Sequence, residues 1–250
     1  MGASLGTLHR RGETRASRYH LLQRQHVLHA WPGRCNPDER VGAARRRSGS
    51  RHRLGFLAIV ISYIPVLCQA FSRREVAINQ LDARAGSPPT GLELLRRHGP
   101  DRTAALERLL ADWERWAAEL IESHLSYPLL GYYRSQHDNQ SWLAALTTVL
   151  DACALLLCVV DDAPEFTARL TFAIARDAAV DLSQAFRRGP ATLPNRMTPE
   201  VLTEIRGILL GAGFVLRPED EASTALGEMR LLYEPYIGSL SPYLLTPLPS

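Results

Sequence analysis

The chain has 250 residues and a formal net charge of +3, and 46% of its residues are hydrophobic. Its length allows one or two domains, and so small a net charge does not suggest a nucleic-acid binder. The four cysteines show neither paired metal-ligand spacing nor the pattern of a secreted disulfide framework. We therefore expect reduced thiols, no metal site and no bound cofactor.

The first 53 residues differ from the rest of the chain. They hold twelve arginines against three acidic residues, whereas residues 54–250 hold seventeen arginines against twenty-three acidic residues. They contain no Phe or Ile and no sustained helix or strand period, so we expect a disordered basic arm. An arm that binds nucleic acid or acidic lipid, a targeting peptide, and a segment that is not natural protein remain alternatives.

An uncharged apolar segment follows, from Leu54 to Phe71, within the sequence RHRLGFLAIVISYIPVLCQAFSRR. At about 1.5 Å per residue its eighteen residues extend roughly 27 Å, which is close to the hydrocarbon thickness of a bilayer. Pro65 inside it is tolerated better in a membrane helix than in a soluble one. We expect a transmembrane helix, with a buried core helix or strand as the alternative. Arginines on both flanks leave its orientation open.

The sequence after the apolar segment is typical of helices. We expect a linker and a short helix over residues 72–100, with a turn at Gly86-Ser87-Pro88-Pro89. A helical domain follows over residues 101–250, and its first helix is capped by Asp101 and runs to about Leu125. No alternating strand pattern is present, so the predicted class is all-α: one transmembrane helix followed by a helical cytoplasmic bundle.

The most apolar part of this domain is NQSWLAALTTVLDACALLLCVV, from Asn139 to Val160. We expect a central buried helix capped by Ser141, because amphipathic segments on both sides offer it faces to pack against. A second membrane span is the alternative. Asp151 is the only charge in the segment. It is predicted to pair with an arginine or to lie at an assembly interface.

Three further helices are predicted. The first is amphipathic and covers Pro164–Arg188. The second is capped by Thr198, has Pro199 at its first position, and ends at Gly211 or Gly213. The last runs from about Pro218 to Leu240.

The segment SHLSYPLLGYYRSQHDNQSW between two helices is rich in polar and aromatic residues. His124, His137 and Asp138 could ligate a metal, but they lack the usual helical ligand spacing, and hydrogen bonding at a helix junction explains them better. Four other residues are interpreted as packing residues: Tyr132, Tyr133, Cys153 and Cys158. No Ser/His/Asp arrangement, phosphate loop or nucleotide motif is present. We therefore predict no catalytic residue and no enzymatic activity.

Two stretches resemble bacterial ion channels of the potassium-channel superfamily that carry a long helical cytoplasmic tail. They are GFLAIVISYIPVLCQAFSRREVAINQLDARAGSPPTGLELLRRHG and WERWAAELIESHLSYPLLGYYRSQHDNQSWLAAL. The resemblance covers about Gly55 to the C-terminus. It implies a tetramer or pseudo-tetramer in the cell inner membrane, with the tail in the cytoplasm.

The resemblance also implies that Leu54–Phe71 is the inner, pore-lining helix, with Ser62 and Pro65 as pore-lining or hinge positions. Such channels also need an outer helix, a pore helix and a Thr-x-Gly-x-Gly-Asp selectivity filter, which this sequence lacks. We therefore expect no potassium conduction by the chain as written.

A frameshift before Leu54 would explain the missing filter. Read one nucleotide later, the codons of residues 29–38 permit Thr-Leu-Gly-Leu-Gly-Asp-Val-Thr-Pro, although only the Gly from Trp31-Pro32 is forced. Under this hypothesis residues 1–53 are an out-of-frame replacement of the pore. A membrane-anchored or soluble all-α interaction or regulatory module is the alternative function. A nucleic-acid binder is disfavoured, because the arm has no interleaved aromatic residues.

Overall fold

A computed structural model describes residues 45–135, 140–191, 195–245 and 248, with side chains described from Gly55 onward. The described residues confirm the all-α class, because they form eight α-helices and no β-strand. The helices are α1 Arg45–Ala85, α2 Gly91–His98, α3 Thr103–Ser126, α4 Trp142–Cys158, α5 Glu165–Ala185, α6 Pro199–Gly211, α7 Glu219–Leu231 and α8 Glu234–Leu244. The expectations for residues 1–44, including the hidden filter, lie outside the described residues.

The chain divides into two units, Met1–Phe56 and Leu57–Ser250. In the first unit, the described residues form the beginning of α1, which starts at Arg45, upstream of the predicted span. All the helices after α1 belong to the second unit, and the packing described below is that of the second unit alone.

α1 has an exposed apolar part and a packed part. The large apolar side chains that it exposes are Phe56, Leu57, Ile59, Ile61, Ile64 and Val66. Downstream, one face is buried at Leu67, Arg74, Ile78, Leu81 and Ala85, a spacing that returns to the same side of a helix. α1 is helical throughout, including at Pro65 and Ser72.

Among the described residues, α1 is the one helix long and apolar enough to cross a membrane. The candidate span is Gly55–Ala85, and only 6% of its most apolar 18-residue window is buried. A core helix would hide these side chains from water. The alternative of a buried core helix therefore does not fit the structure.

The predicted turn after α1 is confirmed at residues 86–89. Thr90 then caps α2, because its side-chain oxygen accepts a hydrogen bond from the backbone N–H of Glu93 at 3.2 Å. Gly91 lies so close to α4 that an added Cβ would be 2.7 Å from the backbone nitrogen of Ala152. Glycine at this position therefore lets α2 approach the backbone of α4 closely.

α4 is the central helix of the domain, as predicted. Every one of its residues is buried except Asp151, which is partly buried. α2, α5, α7 and α8 pack around it. Ser141 is its N-cap, as expected, and accepts a hydrogen bond from the backbone N–H of Ala144 at 2.9 Å. The apolar composition of α4 is therefore explained by burial within protein.

The predicted cap of α3 is wrong. Residues Pro100–Arg102 form a 3₁₀ turn, and α3 begins at Thr103 without a side-chain cap. Pro100 favours the first position of a helical turn, so the turn starts before Asp101. Asp101 consequently lies inside that turn rather than at the N-cap of α3.

The predicted last helix is two helices. α7 ends at Leu231 and α8 begins at Glu234. Pro235 has no N–H, and its ring would clash with the carbonyl of Leu231 in a continuous helix. The start of α6 is confirmed, because Thr198 accepts a hydrogen bond from Val201 and Pro199 is the first residue; α6 also ends at Gly211, as predicted.

Candidate functional site at the end of the apolar helix

Arg74 ties α1 to the segment between α3 and α4. We call residues 127–133 of that segment the tyrosine loop. The Arg74 guanidinium donates hydrogen bonds to the carbonyl oxygens of Tyr133, at 2.7 Å, and Leu130, at 2.9 Å. Its side chain is only 4% exposed, although it lies three residues after Phe71 at the end of the apolar segment. Arg74 therefore fixes the backbone of the tyrosine loop to α1.

Glu75 balances the buried charge of Arg74. Their side chains are 3.1 Å apart, and that of Glu75 is 10% exposed. Ser135 donates a second hydrogen bond to the same carboxylate oxygen at 3.1 Å. Removing either partner would leave an uncompensated charge in the protein interior.

His124 of α3 lies behind Arg74. Its Nδ1 is 2.9 Å from the carbonyl oxygen of Leu120, and its Nε2 is 3.4 Å from the Arg74 guanidinium. A neutral ring protonated at Nδ1 satisfies both contacts, because Nδ1 then donates and Nε2 accepts. Burial, with the charge of Arg74, lowers the pKa of His124 to about 4. His124 is therefore neutral at pH 7, and it contacts the Trp142 ring of α4 at a centroid distance of 5.1 Å.

Aromatic side chains extend this junction along α1. The rings of Tyr63 and Tyr127 are 5.4 Å apart in an edge-to-face arrangement. Those of Phe71 and Tyr133 are 6.2 Å apart, and the Arg74 guanidinium lies 5.0 Å from the centre of the Phe71 ring. The tyrosine loop therefore contacts α1 at two levels, eight residues apart.

A groove of about 310 Å³ separates α1 from α3 beside this junction. Its α1 wall includes Val66, Ala70 and Arg73, and its α3 wall includes Glu119 and Glu122. Val66 and Ala70 come from the end of the apolar segment, and Trp116 and Leu120 add apolar surface from α3. The groove therefore joins an apolar wall to charged side chains of both signs.

Ser62 and Pro65, the predicted pore-lining or hinge residues, both lie on the exposed part of α1. The Ser62 hydroxyl donates to the carbonyl oxygen of Ile59 at 3.0 Å, within the same helix. Their roles in a pore stay predictions. His137 and Asp138 lie outside the described residues. Across the described ranges no group of three or more His, Cys, Asp or Glu side chains could hold a metal ion.

Asp151 pairs with arginine, as predicted. Its carboxylate is 3.1 Å from the Arg230 guanidinium and 3.4 Å from that of Arg196. Glu234 contacts both arginines, so the cluster holds two carboxylates and two guanidiniums. The Tyr233 hydroxyl donates to Asp151, and its pKa is raised by burial and by the charge of Asp151, which keeps the proton in place. This Asp151 cluster joins α4, α7 and α8 internally.

Cys153 and Cys158 are buried and free, as expected for packing residues. Burial raises the pKa of Cys158 to about 11 and raises that of Cys153 further. Because a thiol reacts as its thiolate, neither group has nucleophilic character at neutral pH.

Sequence reasoning missed Arg74, which it treated only as a charge flanking a membrane segment, and gave no role to Glu75. A signal was present. Arg74 falls seven residues after Leu67 and four before Ile78, so it belongs to the same helix face as these buried residues. Its partners on the tyrosine loop lie 56 and 59 residues away and have no local signature.

Comparisons of the chain with protein-family models, with curated proteins and with solved structures found no match.

Proposed function

We propose that the chain is an integral membrane protein of ion-channel type, in which α1 crosses the bilayer and the helical domain is held against its cytoplasmic end. The observation that carries the proposal is the exposure of six large apolar side chains between Phe56 and Val66. Such a continuous apolar surface is unfavourable in water and favourable in lipid. A cytoplasmic domain and the cell inner membrane follow from the resemblance to bacterial channels.

The contacts between α1 and the tyrosine loop support a role in transmitting motion from the helical domain to α1. α1 continues as one helix from the apolar segment into the domain. Arg74 holds the tyrosine loop by two carbonyl groups, so the loop and α1 move together. In a channel, such a junction would transfer a displacement of the domain to the inner helix, where Ser62 and Pro65 lie. A homotetramer would then enclose a potassium pathway once a filter is supplied.

A membrane-anchored interaction module is the second candidate. The observation that favours it is an exposed apolar strip on α5, where Phe166 is 77% exposed and Leu170, one turn later, is 41% exposed. In this function α1 serves only as an anchor, and α5 binds a protein partner.

Membrane fractionation tests the span. We expect the full chain to stay in the membrane pellet after an alkaline carbonate wash and to dissolve only with detergent. The variant Ile59→Asp with Ile61→Asp should reduce retention, because each charge in the middle of a span is costly. The matched control Leu231→Asp with Leu232→Asp changes two exposed leucines of the domain and should leave retention unchanged. Recovery of the unaltered chain in the supernatant would contradict the span.

A flux assay separates the two candidates. The protein expressed from a gene with the upstream reading frame restored is reconstituted in vesicles. Its potassium release is compared with that of the chain as written. Channel function predicts release only from the restored form. If the restored form is retained in membranes but releases no potassium, the interaction module is favoured.

A further inference from the structure

The tyrosine loop runs beside the C-terminal half of the apolar segment. Tyr127 at its start contacts Tyr63, and Tyr133 at its end contacts Phe71. Tyr63 and Phe71 are eight residues apart, which is about 12 Å along a helix. Phe71 is the last apolar residue before the charges of Arg73 and Arg74. The start of the loop therefore lies level with the interior of the predicted span rather than beyond its end.

The exposed surface of the loop suits that position. The sequence SYPLLGYY, from Ser126 to Tyr133, contains no charged residue. Leu129 is 52% exposed, and Leu125, just before the loop, is 38% exposed. Tyr132 and Tyr133 are 55% and 51% exposed. Tyrosine is enriched at membrane–water interfaces, where the ring is apolar and the hydroxyl meets the headgroups.

The loop is fixed on both sides, so it cannot move away from α1 without breaking contacts. Arg74 holds the carbonyl groups of Leu130 and Tyr133. On the other side, Trp142 of α4 donates to the carbonyl oxygen of Gly131 at 3.4 Å. A Cβ added to Gly131 would lie 2.1 Å from the ring of Phe186, so any larger residue would have to displace that ring. If α1 enters the bilayer, the loop enters with it.

We propose that the tyrosine loop is inserted in the interfacial layer of the membrane, with Leu129 directed to the acyl chains and with Tyr132 and Tyr133 among the headgroups. The inference rests on the proposed span of α1. Lipid is the occupant because the loop contacts α1 at Tyr63 and Phe71, within the segment whose large apolar side chains are exposed. Glu122 accepts a hydrogen bond from Ser126 at 3.1 Å and belongs to the α3 wall of the groove. In this placement it lies at the level of the headgroups.

Spin labels in the full chain test this placement. The background variant has its four cysteines replaced by alanine and is reconstituted in vesicles of phosphatidylethanolamine and phosphatidylglycerol. Single labels are attached at Leu129→Cys, Ile59→Cys and Leu231→Cys. Leu231 is 71% exposed on α7 and serves as the water-exposed control. Each label is read by its collision rates with oxygen, which concentrates in lipid, and with a water-soluble nickel chelate.

We expect oxygen to relax the labels at positions 59 and 129 at least threefold more strongly than at position 231, and the nickel chelate to show the reverse order. Circular dichroism of each labelled chain verifies that it is folded. A label at 129 that behaves like the one at 231, while 59 reports lipid, overturns the inference and leaves the span intact. Nickel access at both 59 and 129 overturns the span itself, and the inference with it. An immobile label at 129 with spin–spin broadening shows contact with a second copy and also overturns it.

Discussion

Two apolar helices of this protein have opposite surroundings. In α1, only 6% of the most apolar window is buried, whereas every residue of α4 except Asp151 is buried or nearly so. The apolar segment of α1 contains Pro65, and α4 contains Asp151, and both residues are unusual in an apolar helix. Apolar composition therefore indicates only that the surface of a helix is not in contact with water. Whether protein or lipid covers it depends on the amphipathic helices available as neighbours.

The surroundings of Asp151 and Pro65 differ in the same way as those of the two helices. Asp151 is tolerated in α4 because Arg230 of α7, Tyr233 between α7 and α8, and Arg196 just before α6 all reach it. Pro65 lies on the exposed part of α1. A buried charge needs partners, whereas a proline in a membrane helix needs only local adjustment of the backbone.

The largest expected effect comes from removing the charge inside α4. Asp151→Asn removes one of the two carboxylates that contact both Arg196 and Arg230, and we expect a loss of about 3–5 kcal/mol in the free energy of unfolding. Urea unfolding in detergent, followed by tryptophan fluorescence, measures it. The control is Asp112→Asn, whose partner Arg115 is 71% exposed, and it should cost less than about 1 kcal/mol. Equal losses in the two variants would show that the cluster is not coupled to folding.

Truncating one leucine of α4 should cost somewhat less. Leu150 is fully buried, so Leu150→Ala is expected to lower the free energy of unfolding by about 2–5 kcal/mol. Ile59→Ala in α1 removes a side chain that is 65% exposed and should change it by less than about 0.5 kcal/mol. If Ile59→Ala costs as much as Leu150→Ala, the apolar part of α1 is covered by protein, and the comparison between the two helices fails.

Sequence patterns predicted both apolar helices, the caps Ser141 and Thr198, and the pairing of Asp151 with arginine. These features depend on neighbours within a few residues or on a buried charge that requires a partner. The identity of the partners was not predictable, because Arg196 and Arg230 are 45 and 79 residues from Asp151. The break before α8 was missed, although Pro235 indicated it. The two levels of contact between the tyrosine loop and α1 had no sequence signal at all.

His124 lies between the two helices, with Arg74 of α1 on one side and Trp142 of α4 on the other. Its folded pKa of about 4 is below the value near 6.5 of an unfolded chain, so the unfolded chain takes up the proton first as the pH falls. Stability is therefore complete at neutral pH and declines through the window from about pH 6.5 to 4. The expected loss between pH 7 and pH 5 is roughly 2 kcal/mol.

Urea unfolding at several pH values measures this dependence. The variant His124→Asn keeps polar groups at the site but has nothing to titrate, so its profile should be flatter over the same window. The charged group that faces His124 is Arg74, which is paired with Glu75. Both residues are present in the two proteins, so their contributions to the pH dependence cancel in the comparison. Parallel profiles for the two proteins would mean that His124 is solvated and that the junction between α1 and α3 is open.

The smallest expected effect compares one hydroxyl in each helix. Ser141 accepts a hydrogen bond from the N–H of Ala144 at the start of α4, so Ser141→Ala leaves that donor without its partner. We expect a loss of about 1 kcal/mol in the free energy of unfolding. Ser62 instead donates to the carbonyl oxygen of Ile59, which already belongs to the ladder of α1, so Ser62→Ala should be nearly neutral. The free energies of unfolding of the two variants are measured together in urea. A loss at Ser62 equal to that at Ser141 would show that the Ser62 hydroxyl has a further partner, as a pore-lining contact between subunits would provide.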